Sequence, residues 1–131
     1  MPTRVYNTVQ TADTTLVTTA ETVVAALSGV ATNQPGSQIG LRGEVTVTTG
    51  ASTTGVTLRV REDSLTGAIV DEATANAVQA AAGSTETHDI AVDFGAAGEF
   101  GSKTFVLTAQ QVGAAANGTV LQASLEATVT P

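Results

Sequence analysis

Between Gln38 and Thr48 the chain changes character at every residue. Ile39, Leu41, Gly43, Val45 and Val47 take one parity, and Gln38, Arg42, Glu44, Thr46 and Thr48 take the other. Side chains on an extended backbone point alternately to two faces, so this spacing predicts a strand with one face buried and one wet. A second strand follows, with Val56, Leu58 and Val60 inward and Thr57, Arg59 and Arg61 outward. Small polar residues at 49–55, including Gly50 and Gly55, separate the two. An antiparallel hairpin is the expected pairing.

The same period returns downstream. His88, Ile90, Val92 and Phe94 alternate with Asp89, Ala91 and Asp93, and Phe105, Leu107 and Ala109 alternate with Thr104, Val106 and Thr108. After a turn at Asn117-Gly118, residues 119–130 set Leu121, Ala123, Leu125, Ala127 and Val129 on one face. Residues 14–18 and 22–30 read as shorter strands before a turn at Pro35-Gly36, and 95–102 as a Gly/Ala loop. The Ala-rich stretch 71–82, followed by Gly83, fits either a short helix with a glycine cap or extended chain. About eight strands with regular turn signals predict an all-β fold, one antiparallel β-sandwich. Residues 1–13 are polar and are expected to form an N-terminal arm outside a sandwich of 14–131.

Composition narrows the function. Aromatic residues make up only 3% of the chain, and Ala supplies much of its 42% hydrophobic content. Val, Leu and Ile must therefore provide the core, and so thin a core gains from burying more area against a copy or a host surface. The net charge of -7, with only five basic residues, opposes binding to nucleic-acid phosphates or anionic lipid. The absence of cysteine removes disulfides and thiolate chemistry. Residues 1–6 hold no apolar run, and the longest such run, Val23 to Leu27, is far too short to span a bilayer. A soluble protein made in the cytoplasm is expected.

Reactive constellations are scarce. His88 is the single histidine, and its neighbour Asp89 points to the opposite face of a strand. Asp89 and Asp93 share a face, and Glu62-Asp63 and Asp71-Glu72 flank a loop. They read as solvated acids, with a weak calcium site the alternative. Asp93-Phe94-Gly95 spells a kinase magnesium motif without the other kinase motifs. Paired acids for glycoside hydrolysis would sit among sugar-stacking aromatics, and the chain has no Trp and one Tyr. No enzyme activity, cofactor, metal or small-molecule substrate is expected. The five cations are Arg4, Arg42, Arg59, Arg61 and Lys103. In the expected hairpin Arg42 would face Arg61 and Glu44 would face Arg59. Like charges opposite one another are unfavourable, and an acidic partner surface would relieve them. Arg42, Arg59 and Arg61 are therefore candidate interface residues, with solvent exposure the alternative.

The run Thr22-Val23-Val24-Ala25-Ala26-Leu27-Ser28-Gly29-Val30 leads into Ile39-Gly40-Leu41-Arg42-Gly43-Glu44-Val45-Thr46-Val47 and Val56-Thr57-Leu58-Arg59-Val60-Arg61. With Phe105-Val106-Leu107-Thr108 and the long terminal strand, this layout resembles the small jelly-roll capsid decoration and minor capsid proteins of tailed bacteriophages. The resemblance is one of style over most of the chain and rests on no single motif. It implies a homotrimer on the capsid surface, bound to the major capsid protein shell, and localisation in the virion. It also implies that residues 1–13, with Arg4, Val5 and Tyr6, serve as an attachment arm. A tail or fibre module and a bacterial surface or binding β-sandwich are the alternatives.

Overall fold

The computed structural model describes residues 3–11, 13–16, 20–32, 37–48, 55–75, 85–96, 101–112 and 118–130. The strands are β1 (Arg4–Gln10), β2 (Thr14–Thr15), β3 (Thr22–Thr32), β4 (Gln38–Thr48), β5 (Gly55–Glu62), β6 (Ile69–Ala75), β7 (Thr85–Ala96), β8 (Gly101–Val112) and β9 (Thr119–Thr130). They form two antiparallel sheets. One has the order β1-β9-β4-β7, with β2 also on β9, and the other has the order β3-β8-β5-β6.

The pairing is nested. β5 pairs with β6, β4 with β7, β3 with β8 and β1 with β9, like one long hairpin folded back on itself. Rolling that hairpin up adds the pairs β4·β9 and β5·β8. The result is a jelly roll. β1 and β2 lie along the same edge of β9 and act as one interrupted strand, so the roll has the expected eight-strand plan.

The alternation in β4 holds: Ile39, Leu41, Gly43, Val45 and Val47 are buried. They meet Val56, Leu58 and Val60 of β5 and Phe105, Leu107 and Ala109 of β8 in one core. β8 lies between β3 and β5, and its outward residues Val106 and Thr108 are buried as well. At one end of the core the buried Gln111 accepts a hydrogen bond from the Gly118 amide at 2.7 Å, which satisfies a group that would otherwise be costly to bury.

Gly43 holds an inward position where a side chain has no room. A Cβ there would lie 2.9 Å from Leu107 Cδ1 and 3.2 Å from Ile90 Cγ2. Gly43→Ala is expected to lower the unfolding free energy by about 1–2 kcal/mol through overpacking. Urea denaturation measures this, and a stability equal to wild type would show that the two sheets are not in such close contact.

Three expectations change, and one open choice is decided. β4 and β5 do not form a hairpin; they lie in different sheets, and the intervening loop 49–54 is outside the described residues. Alternation fixes which face a residue takes, but not which strand lies beside it. In β9 the inward set starts at Val120, because the register slips between Thr46 and Val47 and leaves Leu121 unmatched. One inserted residue exchanges the two faces. Residues 4–10, expected as an arm outside the sandwich, form the edge strand β1 and pair with β9 along their whole length. Residues 71–75, where a helix was one reading, belong to β6. The rest of that stretch, the turns at 35–36 and 117, and residues 97–100 of the expected Gly/Ala loop lie outside the described residues.

Candidate partner-binding surfaces

The candidate arginines separate onto two faces. Arg42 projects from the outer face of β1-β9-β4-β7, with Glu126 opposite it on β9 and Ala91 opposite it on β7. Its side chain is 64% exposed and lies 4.0 Å from Asp89. Glu44 is opposite Asp89 rather than Arg59. The face therefore carries one cation among carboxylates, and its depressions beside Arg42 are shallow and lined by Gly40, Asp93, Glu126 and Thr128. Thr46 with Thr87 and Thr48 with Thr85 add hydroxyl pairs at 3.2 and 3.3 Å. Such a face is polar, and its depressions among the described residues are open rather than enclosed apolar pockets.

Arg59 and Arg61 sit on the outer face of the other sheet, and the acidic partner they require lies within the chain. Glu21, just ahead of β3, accepts two bonds from Arg61, from Nε at 2.6 Å and from Nη2 at 2.9 Å. It also accepts Arg59 Nη1 at 3.2 Å and the Thr108 hydroxyl at 2.7 Å. Arg59 reaches Glu72 through Nε and Gln110 Oε1 through Nη1 at 2.6 Å. These side chains cover Thr108. The bond from Arg61 holds the Glu21 carboxyl below its ordinary value, outweighing the burial that pushes it up, with help from the Thr108 hydroxyl and the charge of Arg59. Arg61 is raised by the same contact. Glu21 carries no motif and lies 38 and 40 residues from its arginines, so nothing local in the sequence marks it.

Arg4 and Val5 are exposed on β1, while Tyr6 turns inward and packs against the core. His88 is half-buried on the inward parity of β7, opposite Val45, and Asp89 faces outward. The two do not converge. Phe94 of the kinase-like triplet packs edge to face on Phe105, with ring centroids 5.3 Å apart, and Lys103 lies over its ring. Among the described residues no group of three His, Asp or Glu side chains is placed to hold a metal ion.

The β5–β6 connection is a closely hydrogen-bonded tip. Asp63 has φ of 67°, and the Ser64 amide donates to Glu62 O at 2.8 Å. The Gly67 amide donates to Ser64 O at 2.9 Å, and Arg61 Nη1 clamps Gly67 O at 2.8 Å. A Cβ at Gly67 would fall 1.6 Å from Glu62 O, so only glycine fits. The tip presents Leu65 to solvent.

No protein-family model and no curated protein sequence matches the chain. Similarity appears at the level of fold. The VP2 subviral particle of infectious bursal disease virus superposes with a TM-score of 0.66 at 10% identity, over 98% of this chain and 33% of that one. The T=1 particles derived from the same virus give 0.63 at 12% identity, over 98% of this chain and 32% of that one. Its T13 particle gives 0.61 at 11%, over 98% and 31%. This chain spans about a third of the length of those chains. The likeness is one of fold, in agreement with the nested strand order.

Proposed function

We propose that this chain is a structural virion protein, a decoration or minor capsid component of a tailed bacteriophage. In this reading it is made in the host cytoplasm, binds the outer face of the major capsid protein shell as a homotrimer, and reinforces the shell. It has no catalytic activity and takes no cofactor, small molecule, nucleic acid or membrane as partner. The observation that carries the reading is the complete jelly roll, the fold it has in common with VP2 chains that assemble into particles. The surfaces support it. A protein added to a shell needs roughly 1,000 Å² or more of contact, multiplied by symmetry, and no deep pocket. The Arg42 face offers breadth and mixed polar groups of that kind. Arg59 and Arg61 contribute by fixing the opposite face rather than by reaching a partner, since Glu21 and Glu72 already engage them.

Capsids that lack the protein, incubated with it and sedimented, test the proposal. Saturable recovery of the protein with the capsids is expected, weakened by Arg42→Glu if that face is the contact. Failure to co-sediment at every salt concentration would remove the capsid role and leave a tail or fibre module, or a bacterial surface or binding β-sandwich, as the readings to pursue.

A further inference from the structure

The sandwich has two open sides, where edge strands of both sheets lie next to each other. β1 borders β3 on one side, and β6 borders β7 on the other. They differ sharply in charge. The sequences of β6 and β7 hold five carboxylates: Asp71, Glu72, Glu86, Asp89 and Asp93. Those of β1 and β3 hold none, and Arg4 is their single charge. Three of the five exposed large apolar side chains among the described residues are on β1 and β3: Val5 at 61%, Val9 at 47% and Val23 at 37% exposed, with Val9 also bordering the depression that holds Arg42, Glu44 and Glu126. A shallow groove lined by Gln10, Thr14, Val23 and Ala26 runs between the strands.

We propose that copies of this chain join along the β1/β3 side. The inference names the surface behind the homo-oligomer proposed above, and it rests on that part of the reading. Two molecules of net charge -7 repel one another, so self-association favours the side whose strands hold no carboxylate, where Glu21 just ahead of β3 is already neutralised by Arg59 and Arg61. Apolar side chains there gain by leaving water, which a core poor in aromatics makes valuable. β3 also carries two register shifts and a left-handed Gly29 at φ of 74°. Bulges of this kind bend an edge away from open-ended strand addition and favour a closed oligomer held by side chains.

Sedimentation equilibrium of the full chain tests the surface without any capsid. Wild type should be oligomeric. Val5→Asp and Val23→Asp should each raise the dissociation constant by about tenfold or more, because each buries an unpaired charge at the contact. Ala91→Asp, the same kind of change on β7, should leave it unaltered. A monomeric wild type, an oligomer indifferent to both valine changes, or equal loss with Ala91→Asp would overturn the proposal. Val9→Cys gives a second readout in a chain that otherwise lacks cysteine. Its thiol should react with a maleimide more slowly at concentrations where the chain is oligomeric than where it is dilute, while the β-rich spectrum is kept, and equal rates would count against the surface. An oligomer that responds as expected but ignores capsids would reject the virion role and leave this interface standing.

Discussion

Phe105→Ala is expected to lower the unfolding free energy by about 3–5 kcal/mol and the melting temperature by about 10 °C or more. Phe105 is fully buried and is the largest of the fully buried side chains among the described residues. It sits on β8, in the middle of its sheet, and its ring meets Phe94 of β7 edge to face across the sandwich. The substitution therefore opens a cavity and also removes an aromatic contact between the two sheets. In a domain whose total stability is on the order of 5–15 kcal/mol, that loss is large. Thermal unfolding followed by circular dichroism measures it. A drop of only a degree or two would show that the core does not depend on this ring pair.

Glu21→Gln is expected to cost about 2 kcal/mol at pH 7. Removing one partner of a buried ion pair usually costs more, but Glu21 keeps 16% of its side chain exposed and Glu72 still holds Arg59. The cost should depend on pH. Folding holds the Glu21 carboxyl below its ordinary value of 4.5. Its contribution is therefore present in full above that value and is lost as the pH falls through the lower value it has in the folded state. The gap between wild type and Glu21→Gln should be widest near neutrality and should close progressively in acid below pH 4.5. Denaturant titrations at several pH values read this directly. A gap that stays constant into acid would mean that the carboxylate is not what binds the two arginines.

These two residues mark what the sequence made legible and what it hid. Phe105 stands in a visible alternation with Leu107 and Ala109, and the inward faces of β4 and β5 could be read in the same way, because strand parity is a local property. Partnership is not local. β4 lies beside β9, about eighty residues away along the chain, and no feature of either strand announces it. That is why β4 and β5 looked like a hairpin. The single unmatched residue at Leu121 was also invisible, since a bulge depends on the partner strand. The candidate site suffered most from this. With β4 and β5 assigned to one sheet, Arg42, Arg59 and Arg61 formed one basic patch in need of an outside acid. The two sheets separate them, and Glu21 supplies the acid from within the chain. The polar character of β1 was legible, but its place at the edge of β9 was not, because only Tyr6 and Thr8 turn even partly inward.

The proposed function places this jelly roll on the outside of a capsid. Electron cryomicroscopy of capsids with and without the bound protein tests it most directly. The difference map should hold sandwich-sized density, into which both nested sheets fit, at symmetry-related positions on the outer surface. A difference map empty over the shell, or added density confined to the tail, would rule out that location.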